Sequence, residues 1–444
     1  MKKITLLSAF LLYTVLISYG QWSTTYLSQG TVRMGGAVLG SKAYFAGGLI
    51  VGGSDWVDTD KVEIYDMETG QWHMDYLSQS RQITTGVTCG DFVFFAGGMS
   101  NWVSSSRVDI FNDLGFWGDA ELSVPRFAIS AASNGNLVLF AGGGSFTEVY
   151  DVVDIYNINT QQWSTDHLSI PRTSMACAVL GDLAFFAGGM NVDNSEVYDR
   201  IDIFNFTTGT WDTKTLSQAR SFPTATVAQN KVIFAGGSLS NGVASDRVDI
   251  YDYDNNTWET ASLSVARSAA TATVCGIAYF VGGGIFDQGW TYGTDAIDVY
   301  DPVANSWSVM TLPTIVTENT VVAIDSTLFS AGGFFENNPP YGIPLNTVEM
   351  YTNCVYSHTP TIKSGNDLFE VYPIPSAGNI HLELSHDNKQ KPLCAFIYNM
   401  QGQEVHKQTL LNSDREMNLQ LPAGIFMLKV ISEDRVYSKL IMIQ

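Results

Sequence analysis

Apolar runs of four or five residues, each closed by two glycines, alternate along this chain with strands that carry one fixed acid. The first such run is Tyr44-Phe45-Ala46-Gly47-Gly48, and it recurs at 94–98, 139–143, 185–189, 233–237, 279–283 and 329–333. Successive glycine pairs lie 50, 45, 46, 48, 46 and 50 residues apart. The acid-bearing strand begins as Val62-Glu63-Ile64-Tyr65, and its equivalents carry Asp109, Asp154, Asp202, Asp249, Asp298 and Glu349. A turn rich in Asp, Asn, Thr and Gly follows, which suits a hairpin. A tryptophan then opens a further strand at Trp72, Trp117, Trp163, Trp211, Trp258 and Trp307, and Leu-Ser closes it, as at Leu77-Ser78 and Leu168-Ser169. A small apolar strand such as 84–89 or 174–179 leads into the next glycine-ended run. The pattern predicts four short strands per repeat and no segment of helical period. A period of this length marks a repeat architecture.

The recurring order of double glycine, acidic Tyr/Phe strand and tryptophan resembles the kelch motif over about residues 22–352. The resemblance implies an all-β fold: a seven-bladed kelch β-propeller, one four-stranded blade per repeat. Glycine near a crowded axis permits close backbone approach and positive φ. The tryptophans are expected as mortar between blades, since each buries on the order of 150–250 Å². The last repeat stops at Tyr351 without a Trp strand, whereas Trp22 to Ser28 reads like the strand opened by Trp163. Residues 22–28 are therefore expected to complete the last blade beside 347–351, which removes an open edge.

Lys2-Lys3 followed by an apolar run reads as a secretory signal peptide over residues 1–20, too short for a spanning helix. No transmembrane segment is expected. The formal net charge of −21 disfavours nucleic acid as a partner. Of five cysteines, Cys89, Cys177 and Cys275 sit at matching places in inner strands and are expected as small buried apolar residues. A Cys354–Cys394 bridge is conceivable, and the odd count argues against a disulfide framework.

Composition changes after Tyr351. Residues 353–366 read as a linker, and 367–444 as a separate domain. Its pieces include Val371-Tyr372-Pro373-Ile374-Pro375, then Phe396-Ile397-Tyr398-Asn399-Met400-Gln401-Gly402, then Leu421-Pro422-Ala423-Gly424-Ile425-Phe426, and a final Lys439-Leu440-Ile441-Met442-Ile443. These resemble the C-terminal sorting domain of type IX secretion (Por secretion system) cargo. The resemblance implies a small C-terminal β-sandwich, recognised by the type IX export machinery. It further implies secretion, or attachment to the outer cell surface, in a Gram-negative bacterium.

No catalytic residue, metal centre or cofactor is expected. The repeats hold only His73 and His167, on different repeats, and a metal centre needs convergent ligands. The acids at 55–60 lack the spacing of a known calcium loop. Two features suggest a binding face. Arg81, Arg126, Arg172 and Arg220 each lie 16 residues before a glycine pair, and Arg267 lies 15 before; Thr31 and Val316 occupy that place in the first and seventh repeats. Guanidinium forks of this kind suit acidic ligands, or they pair with the acid of their own repeat. The second feature is the long loops after the glycine pairs of repeats one, six and seven, which carry Trp56; Phe286, Trp290 and Tyr292; and Phe335 and Tyr341. Contiguous aromatics of this kind suit sugar stacking or a protein contact.

These residues predict an exported binding or adhesion protein for a glycan or surface-protein ligand. The alternative is a carbohydrate-active enzyme, such as an isomerase or mutarotase of acidic sugars, with Arg172 among the arginines that would hold the carboxylate.

Overall fold

A computed structural model describes residues 21–287, 290–335 and 342–352, and beyond them parts of 369–443. The expected signal segment 1–20, the linker 353–366, Tyr341 and the side chains of Phe286 and Trp290 lie outside what is described. The chain divides into two compact units, 1–355 and 356–444.

The described part of the first unit holds seven four-stranded antiparallel sheets. In the third, Ser130–Ser133, Leu137–Ala141, Val152–Asn157 and Gln162–His167 lie side by side in chain order. The other sheets follow the same plan. Within the glycine-ended strand every residue after the first is buried, as in Leu183–Ala187. The Trp strand is instead mostly exposed, with only Trp211 and Lys214 half-buried in Thr210–Thr215, as expected for an outer strand.

The glycine pair ends its strand in a left-handed conformation that side-chain-bearing residues rarely adopt. Gly48 has φ +112°, and a Cβ there would lie 2.6 Å from the Val32 carbonyl oxygen. Its N–H donates to the Arg81 carbonyl of the following repeat, so the close approach stitches one repeat to the next.

The seventh sheet is assembled from both ends of the unit. Thr320–Ile324, Thr327–Ala331 and Thr347–Thr352 are joined by Gln21–Tyr26, with Trp22 opposite Tyr351 and Thr25 opposite Val348. The Trp22 and Tyr351 rings lie 5.0 Å apart. Each pair of consecutive sheets shares an apolar cluster: Leu139 and Ala141 of the third meet Phe186 and Phe204 of the fourth. One further cluster joins Phe45 and Ala43 of the first sheet to Phe329 and Ala331 of the seventh.

Most of the repeat tryptophans sit at these joints, Trp117 being 47% exposed with its ring 5.2 Å from Phe92 of its own sheet. Trp163 packs 4.9 Å from Tyr156 of its own sheet, inside the cluster that reaches back to Phe94 and Ile110 of the second. Trp72 Nε1 donates to Thr25 Oγ1 on the seventh sheet, and Trp211 Nε1 to Asp166 Oδ2 on the third. They cement sheets together rather than offer platforms.

Two cysteines behave as expected and one does not. Cys89 is buried and Cys177 half-buried, both as free thiols, and burial pushes the Cys177 thiol up to about 12. Cys275, however, is disulfide-bonded. Its sulfur stands 4.0 Å from the Asp325 carbonyl at a turn, half-buried beside the apolar cluster of Val274 and Leu328.

The second unit has a three-stranded sheet, Phe369–Tyr372, Asn379–Leu384 and Glu416–Asn418, and a four-stranded one, Glu404–Leu410, Leu393–Tyr398, Gly424–Ser432 and Arg435–Ile443. Alternate residues Phe426, Leu428 and Val430 join Ile380 and Met417 of the other sheet in one core, the packing of a small sandwich.

Candidate functional site

The crossover between repeats and the loop after each glycine pair lie at the same end of the sheets. Short bridges between Val32 and Leu49, Gln82 and Met99, Thr173 and Met190, Ser221 and Ser238, and Thr317 and Phe334 tie the two together. The expected binding residues that are described therefore belong to one end of the first unit.

The arginines at that end are not presented to a ligand. Arg81, Arg126, Arg172, Arg220 and Arg267 have no exposed surface. Each forms an ion pair with the acid of its own sheet: Arg81 with Asp109, Arg126 with Asp154, Arg172 with Asp202, Arg220 with Asp249 and Arg267 with Asp298. Backbone carbonyls take further N–H groups. Arg126 Nε donates to Gly142 O at 2.8 Å, Nη1 to Val124 O at 2.9 Å and Nη2 to Phe140 O at 3.1 Å. Desolvation lowers the pKa of these guanidinium groups from the ordinary arginine value, and the facing aspartate opposes that fall. The expectation of an arginine-lined ligand site is corrected accordingly. A flexible cation placed beside a glycine pair finds unsatisfied carbonyls and a buried carboxylate closer than any ligand.

The same aspartates explain Leu-Ser. The leucine is buried, and the serine N–H donates to the acid of the next sheet, as Ser78 to Asp109 Oδ1 at 2.7 Å and Ser264 to Asp298 Oδ1 at 2.8 Å. One carboxylate thus joins the Arg of its own sheet to the end of the preceding outer strand. Where the Arg is missing, the longer Glu still accepts from the outer strand, through backbone N–H and hydroxyl donors. Glu63 accepts from Ser28 N at 2.7 Å and Ser28 Oγ at 3.1 Å, and Glu349 from Thr24 Oγ1 at 2.7 Å.

The expected loop aromatics fare differently. Trp56 lies on the hairpin Leu49–Gly52 and Asp55–Asp58, half-buried, with its ring 5.6 Å edge-on from Phe334. This contact brings the first and seventh loops together. The adjacent Phe335 is 44% exposed. Tyr292 is half-buried opposite Ile285 on the long sixth hairpin. Asp58, among the acids weighed for calcium, instead accepts from Gln82 Nε2 at 2.9 Å and Asn101 N at 2.6 Å. Among the described residues no group of three His, Cys, Asp or Glu side chains could hold a metal. Among them also, no helix is long and apolar enough to cross a membrane.

Sequence reasoning missed two features. Trp102, 65% exposed, lies 6.3 Å from Phe146, which lies 5.2 Å from Phe127, forming an aromatic group at the second and third loops. Closer to the middle is a cavity of about 550 Å³ lined by residues of the first, second, fifth, sixth and seventh sheets, including Arg33, Ile83, Phe222, Ala269 and Glu318. These residues share a repeat position, two beyond the Arg or its replacement. Arg33, Ile83, Ala128, Ser174, Phe222 and Glu318 all have φ between 50° and 58° there. Backbone hydrogen bonds link some of them in succession, from Ile83 N to Arg33 O and from Phe222 N to Ser174 O. The column shares no chemistry from repeat to repeat, so the pattern of the repeat did not single it out.

Four-stranded repeat sheets joined by tryptophan, with a loop-bearing end and a separate small sandwich, define an all-β protein of kelch-type blades followed by a second β-domain. Residues 32–74 and 219–262 match the Kelch motif, and 370–444 match the Secretion system C-terminal sorting domain. The chain thus carries Kelch motifs and a type IX sorting domain, and the latter implies interaction with that export machinery and secretion or outer-surface display in a Bacteroidetes-type Gram-negative bacterium. No curated protein matches the chain.

Proposed function

We propose that this is an exported binding protein whose first unit is a closed seven-bladed propeller, with the loop-bearing end as its ligand-engaging face. The observation that carries the reading is the Trp56–Phe334 contact at 5.6 Å, between the loops of the first and last repeats. Closure is supported by the apolar cluster between the first and seventh sheets and by Gln21–Tyr26 pairing with Thr347–Thr352. Closure makes neighbours of the two loop sets richest in aromatic residues, and loops on a rigid scaffold are where recognition concentrates. The ligand is a glycan or another surface protein. Residues 367–444 serve export.

The acidic-sugar isomerase reading loses its carboxylate-holding residue, because Arg172 is buried against Asp202, Gly188 O and Phe186 O. Binding without turnover is the simpler use of the remaining surface. The test is capture of glycans on an array, and of surface proteins from the producing bacterium, by the full exported chain. A Trp56→Ala, Phe335→Ala double variant should lose capture by tenfold or more. Capture unchanged in that variant, or absent from the parent chain, would reject the face.

A further inference from the structure

The central cavity is more specific than the face around it. Its charge is confined to one pair: Arg33 Nε donates to Glu318 Oε2 at 2.8 Å and Nη2 to Oε1 at 3.3 Å. Arg33 Nη1 donates to Gln82 Oε1 at 3.1 Å. Both members of the pair are about one-third exposed, at 31% and 35% of their side chains. The guanidinium is therefore already neutralised by a carboxylate. An anionic ligand would have to displace Glu318 and approach a chain of net charge −21. A cationic ligand would meet Arg33. The cavity selects against both signs.

What it offers instead is paired hydrogen bonding beside an apolar wall. Arg33 has five N–H donors, of which these three bonds use three, and each Glu318 oxygen retains acceptor capacity. Phe222, 40% exposed, and Ala269 contribute apolar surface to the same lining. A molecule with neighbouring hydroxyls that both donate and accept, and with flat C–H faces, matches this combination. The volume of about 550 Å³ falls within the range of small-molecule sites.

Resting on the binding-face reading, we propose that the cavity between Arg33, Glu318 and Phe222 binds a neutral saccharide of two or three rings, with vicinal hydroxyls bridging the ion pair and a ring face against Phe222. The fold does not demand these side chains. The left-handed backbone they occupy is supplied equally by Ala128 and Ser174 at the equivalent positions.

The experiment is saturation-transfer NMR and calorimetry on the full exported chain with cellobiose, maltose, lactose and mannobiose. Sialic acid, glucose 6-phosphate and an acidic peptide run alongside. At least one neutral disaccharide should bind saturably, with affinity little changed between low and high salt. Glu318→Gln, which preserves side-chain shape, and Phe222→Ala should each weaken it tenfold or more, with unchanged near-ultraviolet dichroism. If Phe222→Ala perturbs the dichroism, Arg33→Met with Glu318→Gln serves as the second variant. No binding by any neutral disaccharide, preferential binding of the anionic sugars or the peptide, or saccharide affinity unaltered by these changes would overturn the assignment. Ligand captured by the parent chain but indifferent to the cavity variants would leave the wider face intact; capture lost only in the Trp56/Phe335 variant would place the ligand on the loops.

Discussion

Arg126 Nη2 and Asp154 Oδ2 stand 2.7 Å apart, with 0% and 3% of their side chains exposed. Removing one partner of a buried ion pair leaves the other charged and dry, which costs about 3–5 kcal/mol. Asp154→Ala should lose stability on that scale in urea unfolding. Arg126→Met combined with Asp154→Leu should recover much of it, because the uncompensated charge is gone. All ten tryptophans precede residue 356, so tryptophan fluorescence reports the first unit alone. Equal stability of Asp154→Ala and the parent would contradict the pairing.

Alkaline pH should weaken the first unit before mild acid does. Burial, aided by Asp113 and Asp75, raises the Tyr44 phenol from 10.0 to about 12, and burial raises Cys177 from 9.0 to about 12. Both groups hold their protons more tightly folded than unfolded. Their contribution is therefore complete below pH 9 and is lost as pH rises toward 12. Tyr44→Phe and Cys177→Ala should each flatten the fall in stability between pH 9 and 12, followed by urea midpoints at fixed pH. An identical slope in both variants would dismiss these groups as its source.

The neutral Cys177 thiol also predicts slow chemistry, since the thiolate is the nucleophile. Iodoacetamide at pH 8 should leave Cys177 and Cys89 unmodified in the folded chain and label both after denaturation, as read by peptide mass mapping.

Cys275 is disulfide-bonded, whereas Cys89 and Cys177 are free thiols. Alkylation of the denatured, unreduced chain should label Cys89 and Cys177 but leave Cys275 unlabelled until reduction. Cys275→Ser should cost roughly 2–4 kcal/mol if the bridge closes a long loop. Labelling of Cys275 before reduction would refute the bridge.

The repeat scaffold was legible because its chemistry recurs. Gly48, Asp109 and Trp163 stand for positions where backbone approach, a buried carboxylate and an inter-sheet joint impose the same chemistry in repeat after repeat. The same recurrence misled for Arg81, Arg126, Arg172, Arg220 and Arg267. A repeated cation looks like a ligand ring, yet its recurrence in five repeats, each beside a recurring aspartate, is what an internal pair produces. Position along the chain does not reveal burial, and only the facing carbonyls of Gly142 and Phe140 decide it. Arg33 and Glu318 were illegible for the opposite reason: they are unique, far apart in sequence, and meet only where the first and seventh sheets approach each other. Cys275 stands on the turn one residue past its strand, beside the apolar cluster as expected, but its bridge left no mark in the spacing of the cysteines.

The central claim is that the strand Gln21–Tyr26 completes the last sheet and closes a ring of seven. Hydrogen exchange on the full exported chain tests it most directly. Thr24 and its neighbours should be protected as strongly as Thr347–Thr352, and deletion of 21–28 should expose both 347–352 and 42–46 to fast exchange while lowering the melting temperature. Exchange at unfolded rates across 21–26, with 347–352 still protected and the melt unchanged after deletion, would contradict closure.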